Sequence, residues 1–215
     1  SIRKHHFEPY RLFLMGISSK APLLILASQS PSRRNLLEAA GVSFMTVSSD
    51  VDEYEIKQEH TGSVESLCLK LAQAKAHAVS SLYPYSYVLG TDQVLDCKGQ
   101  IFDKPNSLQN VRTQLCQLKG QRHRLVNGLV IVKGSKEQWS HTEFATLKIR
   151  KFSDAFLDDY IKQIDDNLLS SVGGYQLECR GSQLFEYIDG DYFTILGLPL
   201  LPLLAYLRQI HILID

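Results

Sequence analysis

Leu23-Leu-Ile-Leu-Ala-Ser28-Gln-Ser30-Pro-Ser32-Arg33-Arg34 is an apolar run that ends in serines and a proline. The run Leu23–Ser28 reads as a buried strand, and Ser30-Pro31 as an N-cap followed by proline at the first helical position. The helix that follows carries Leu36, Leu37 and Ala40 and stops at Gly41. A strand feeding a helix through a short loop is the opening unit of an α/β fold. Such a loop also brings backbone N–H groups to a helix N-terminus, where anions bind. Arg33 and Arg34 stand in the first turn, where the helix dipole disfavours cations unless an anion compensates. Two solvated arginines behind a Ser/Pro cap is the simpler alternative.

Outward from this unit, Ser43–Ser48 reads as a second strand and Ser63 to about Leu82 as a long helix. Val64, Leu67, Leu71, Ala74, Ala78 and Leu82 form its apolar stripe. At about 100° per residue the stripe centres near the direction of Lys75, which either snorkels or holds its ammonium in an enclosed pocket. Tyr87–Thr91 reads as a third strand ending at Asp92, and Leu108–Leu118 as a helix closed by Gly120. Leu125–Val132 and Thr142–Ile149 read as strands, and Ser153 caps a helix with Phe156, Leu157, Tyr160, Ile161 and Ile164 inward. Gln183–Ile188 and Tyr192–Leu196 flank Asp189-Gly190, a hairpin signal. A last apolar helix opens at Pro199. Strands and helices alternate early and strands cluster later, so the expected fold is α/β with a mixed sheet and flanking helices.

The 215 residues are 44% hydrophobic and 21% charged, enough apolar material for a real core and against disorder. Residues 1–20 are set apart as an N-terminal extension, poorly ordered or upstream of a natural start near Met15, and 21–215 as a single domain. Lys and Arg number 23, as do Asp and Glu. The balance and the lack of a basic window speak against a nucleic-acid binder, so an anionic ligand must be met by a few placed cations. The most apolar stretch, Phe193 to Leu207, contains Gly197, Pro199 and Pro202 and is too short and broken to span a bilayer. Cys68, Cys97, Cys116 and Cys179 lie far apart with no zinc spacing and read as idle thiols. A cytoplasmic protein is expected.

Neither a Walker A loop nor a G-x-S-x-G elbow is present. An Asp at the carboxyl end of a central strand, as Asp92 is read, can orient a metal-bound water or accept its proton; an Asx turn ending the strand is the other reading. Lys104-Pro105 places a further cation in a loop. Asp50, Asp52 and Glu53 add carboxylates after the second strand, with a charged turn as the simpler account. Cations and helix N–H groups that neutralise phosphate oxygens, with carboxylates for a divalent ion and a water, are what phosphoryl chemistry uses together.

L-I-L-A-S-Q-S-P-S-R-R-N-L-L-E-x-x-G, then V-D-E, L-A-x-x-K-A, G-T-D-Q, K-P and a late G-L-P, in this order, resemble the Maf family of nucleoside triphosphate pyrophosphatases. The resemblance runs from about Leu23 to Leu207. It implies two lobes around a deep cleft, a fold related to inosine triphosphate pyrophosphatases, often a homodimer, and hydrolysis of a nucleoside triphosphate to monophosphate and pyrophosphate dependent on a divalent cation, Mg²⁺ or Mn²⁺. It implies Asp92 as proton acceptor for the attacking water. Ser28, Ser30, Arg33, Lys75 and Lys104 would hold phosphate, and Glu53 with Asp92 the metal. Ser32, Gln93 and Glu178 would set base preference: Gln93 and Glu178 resemble the branch acting on 7-methyl-GTP rather than the dTTP/UTP branch. Ser32 stands where the former branch can have tryptophan, and Cys179 where glycine usually follows the acid. The family's link to septum formation adds a nucleotide-binding regulator as the alternative.

Overall fold

The structure, a computed structural model, describes residues 24–215; the expectations about the N-terminal extension and Met15 lie outside the described residues. The elements are β1 (Leu24–Leu26), α1 (Pro31–Ala39), β2 (Met45–Thr46), α2 (Glu53–Glu59), α3 (Val64–Ser80), β3 (Tyr87–Cys97), β4 (Gln100–Phe102), α4 (Leu108–Leu118), β5 (Arg122–Lys133), β6 (Lys136–Ile149), α5 (Asp154–Lys162), β7 (Phe185–Asp189), α6 (Tyr192–Leu196) and α7 (Leu200–Gln209). Short 3-10 turns fill much of the stretch between α5 and β7. The sheet order is β2-β1-β3-β5-β6-β7, with β4 pairing β3. β1 runs parallel to β2 and β3, and the remaining pairs are antiparallel. The mixed α/β sheet expected from the sequence is the fold observed.

Strand alternation divides the centre of the sheet cleanly. One face of β3 and β5 carries Val88, Val94, Val126, Val130 and Val132, packed under α3. The other carries Leu89, Leu129 and Ile131, in one core with α7, and Leu95 and Leu125, in a second core with α4 and α5. Between these two cores lie Gln93 and its ladder partner Asn127. The face of α7 with Leu203 and Leu207 is core, and Leu201 stands out in solvent.

Three expectations need correction. The third strand does not end at Asp92; it continues to Cys97, ten of its residues in register with β5, so Asp92 is a strand-interior residue. Tyr192–Leu196 is not the second arm of a hairpin but a one-turn helix. Asp191 accepts from the Thr194 N–H at its start, and Gly197, at φ 103°, ends it in the left-handed conformation. On α3 the buried arc is Leu67, Cys68, Leu71, Ala72, Lys75, Ala76 and Val79. The stripe is therefore rotated toward its small residues, Ala74 and Ala78 stand partly open, and Leu82 falls beyond the helix in solvent. The reason is contact with glycine: Gly90 and Gly128 present bare backbone to the turns holding Ala72, Ala76 and Cys68.

Candidate active site

Strand β1 is too short to cover β3. It pairs with Tyr87–Leu89, with a last rung from the Ala27 N–H to Leu89 O at 2.9 Å, and β4 takes up only at Leu95–Cys97. Residues 90–94 of β3 thus have β5 on one side and no strand on the other. A cavity of about 620 Å³ opens at this gap. Ligands in α/β sheets bind where neighbouring strand connections diverge; here the divergence is a missing neighbour rather than a strand end.

The ten residues picked out from the sequence all line this cavity. Ser28, Ser30 and Arg33 come from the β1–α1 loop and first turn. Ser30 caps α1, its side chain accepting from the Arg33 N–H at 3.4 Å, and Ser28 Oγ accepts from the Ser30 N–H at 3.1 Å. The Arg33 guanidinium donates to Ser28 Oγ at 3.5 Å and, through Nε, to Gly197 O at 2.8 Å. Arg34 faces solvent and pairs with Glu38 instead.

Glu53 begins α2, a helix that takes the place of the charged turn given above as the simpler account. Asp52 is its N-cap and accepts from the Glu55 N–H at 3.0 Å. Lys75 Nζ lies 2.6 Å from Asp92 Oδ1 and 2.9 Å from Glu53 Oε1. Lys75 is 9% exposed and Asp92 6%, so the ammonium is enclosed, not snorkelling. Burial alone would raise the Glu53 carboxyl, but the charge and hydrogen bond of Lys75, aided by Lys57 and Lys104, hold it below the ordinary value. Burial depresses both Arg33 and Lys104, and Lys104 is lowered further by the charges of Arg33 and Lys75. Among the described residues neither Arg33 nor Lys104 has a carboxylate within ion-pair distance. Two cations that face one cavity, with no carboxylate partner among the described residues and beside a paired lysine, form a site that an anion would relieve.

Asp92 and Glu53 each give one oxygen to Lys75, and the second oxygen of Glu53 lies 4.0 Å from Lys57 Nζ. Two hard carboxylates beside a phosphate site suit Mg²⁺ or Mn²⁺, which commonly takes one or two protein carboxylates and completes its shell from phosphates and water. Ser32 and Gln93 are engaged with α6: Ser32 Oγ donates to Leu196 O at 3.0 Å, and Gln93 Nε2 to Thr194 O and Ile195 O, both at 3.1 Å. Glu178, exposed on the turn segment before β7, lines the far wall. The cysteines are free thiols, and burial pushes the Cys68 thiol, beneath the site, well up, as suits an idle residue.

A family model described as Maf-like protein matches residues 23–210. The chain belongs to the Maf family. Among curated Maf relatives, a nucleoside triphosphate pyrophosphatase of Granulibacter bethesdensis is 46% identical over 189 residues, 86% of this chain and 96% of the relative. A 7-methyl-GTP pyrophosphatase of Brucella abortus is 44% identical over 189 residues, 86% of this chain and 95% of the relative. One of the same description from Rhizobium meliloti is 42% identical over 192 residues, 88% and 96% of the two chains. A solved nucleoside-triphosphatase / dITP/XTP pyrophosphatase of Mycobacterium abscessus covers 60% of this Maf chain and 74% of its own, at 18% identity and a TM-score of 0.35, a likeness too slight to carry an argument. No helix among the described residues is long and apolar enough to cross a membrane.

Tyr175, on the same wall as Glu178, is held from behind by His123, whose Nε2 lies 2.7 Å from the tyrosine hydroxyl. Neither was visible as a site residue in the sequence. His123 is 2% exposed, and burial pushes its imidazole from 6.5 down to about 4. The unfolded chain therefore takes up a proton that the folded chain refuses between these values. The contribution is whole above pH 6.5 and is lost as pH falls toward 4; at pH 5 the loss is about 2 kcal/mol. In denaturant titrations the fall in unfolding free energy from pH 7 to pH 5 is expected to be smaller by that amount in His123→Gln than in the parent.

Proposed function

We propose that this chain hydrolyses a modified nucleoside triphosphate of the 7-methyl-GTP kind to the monophosphate and pyrophosphate. The observation that carries the reading is the buried Lys75–Asp92 pair with Glu53 beside it, facing two cations, Arg33 and Lys104, that have no acid partner among the described residues. Arg33, Lys104, the serines of the first loop and the N-terminus of α1 bind the phosphate chain. Asp92 orients the attacking water and accepts its proton as the oxygen attacks the α-phosphorus. The α–β bridging bond then breaks, and Lys75 and Arg33 take up charge on the departing pyrophosphate. Glu53 and Asp92 would hold a divalent cation, which when bound supplies charge neutralisation at the phosphates. Glu178 is a carboxylate acceptor for the guanine N1–H and 2-amino group, and its charge suits a ring made cationic by 7-methylation.

The test is a panel of canonical and modified triphosphates with Mg²⁺ or Mn²⁺, scored separately for pyrophosphate and orthophosphate. Pyrophosphate as first product, fastest from 7-methyl-GTP, is expected; orthophosphate as first product defeats α–β cleavage. A faster reaction with dTTP or UTP would move the chain to the other branch. Tight nucleotide binding with no turnover under any cation would favour the regulator.

A further inference from the structure

The belt of Gln93 and Asn127 between two apolar cores takes no part in the chemistry above, and its hydrogen bonds converge on one place. Helix α6 ends with four consecutive carbonyls, Thr194 to Gly197, and each accepts a side-chain donor from a distant element. Asn127 Nδ2 donates to Thr194 O at 2.9 Å, Gln93 Nε2 to Thr194 O and Ile195 O, Ser32 Oγ to Leu196 O, and Arg33 Nε to Gly197 O. Helix-end carbonyls are usually left to water or to a glycine turn. Here three of the four donors, Ser32, Arg33 and Gln93, line the cavity, and only Asn127 lies outside it.

Asn127 itself is 0% exposed, and its Oδ1 has no hydrogen-bond partner among the described residues. A buried amide oxygen left unpaired costs stability, and one in a native core calls for an explanation. Leucine would fill the same volume without that cost. The residue is thus poorly chosen for stability and well placed to hold Thr194.

We propose that Asn127 is a positioning residue: by fixing Thr194 it sets the terminal turn of α6, which holds Arg33 toward the phosphates and Gln93 toward the base. Because both acceptors of Gln93 are carbonyls, its amide nitrogen is committed to the helix. Its oxygen is then the group left for the nucleotide, an acceptor like Glu178, and so suited to a base edge that donates. The inference rests on the proposed phosphate-binding role of Arg33.

Asn127→Leu removes the donor and the unpaired oxygen together. Its melting temperature is expected to equal or exceed the parent's. Calorimetric affinity for inorganic pyrophosphate, which needs no turnover, is expected to fall about tenfold, and KM for 7-methyl-GTP to rise about as much, with kcat changed less than threefold. The rate ratio of 7-methyl-GTP to UTP is expected to drop several-fold, a change that loss of folded protein would not cause. Should the leucine variant fail to fold, Asn127→Thr, smaller and still able to donate, is read by the same three quantities, with smaller changes expected. A folded variant with the parent's pyrophosphate affinity and base ratio overturns the proposal. If the parent binds pyrophosphate but hydrolyses no triphosphate, the proposed reaction fails and the binding comparison alone decides the role of Asn127.

Discussion

Asp92→Asn is expected to lower kcat for pyrophosphate release by about 10³-fold, within the range that a positioned general base contributes. The amide keeps the shape of the carboxylate but cannot take the proton of the attacking water. KM is expected to stay within a few-fold, because the phosphate contacts proposed for Arg33 and Lys104 do not depend on Asp92. Removing one partner of a buried ion pair usually destabilises strongly, because the other charge is left alone. Here Lys75 keeps Glu53 at 2.9 Å, so the variant is expected to fold. Single-turnover kinetics at saturating nucleotide, alongside a thermal melt, separate the two effects. A variant that matches the parent in single turnover would remove Asp92 from the proton's path.

The parts of this site that were legible in the sequence are those whose signals are local. Ser30-Pro31 is a cap written in adjacent residues, and the arginines behind it stand out because a helix start is the wrong place for unpaired cations. Lys75 is legible by periodicity because it stands near the predicted stripe, and the rotation that leaves Ala74, Ala78 and Leu82 out of the buried arc turns that arc toward it. The length of β3 was not legible. A strand interior containing Asp92, Gln93 and Asp96 looks like a strand end unless one knows that its neighbours leave a gap beside the first two and that Arg124 pairs with the third. Asn127 and the carbonyls of α6 were invisible for a different reason. The side-chain donors and the carbonyls that accept from them stand 67 to 164 residues apart, and a carbonyl has no side-chain signature. A helix of five residues is also too short to show a period, so only its Asp191 cap and Gly197 stop were there to be read.

Gly90→Ala is expected to cost about 3 kcal/mol of stability, the upper end of ordinary overpacking, and to lower turnover in the protein that remains folded. A Cβ at this position would stand 1.9 Å from Ala72 O and 2.8 Å from Ala76 N. Both are backbone atoms of α3, so no rotamer change relieves the clash and the helix itself must move off the sheet. Gly128 makes the matching contact one strand over, where a Cβ would meet the carbonyl carbon of Cys68 at 2.5 Å. These two bare positions let α3 lie close enough for an ammonium on its surface to reach a carboxylate on the strand beneath, and Lys75 sits within the turn that makes the contact, between Ala72 and Ala76. Lifting α3 lengthens the 2.6 Å bond between Lys75 and Asp92 and draws Lys75 away from Glu53. Denaturation at 25 °C and turnover well below the melting transition check the two halves separately. If folded Gly90→Ala kept the parent's kcat, close helix–strand contact would serve packing alone, and the alignment of Lys75 with Asp92 would need another cause.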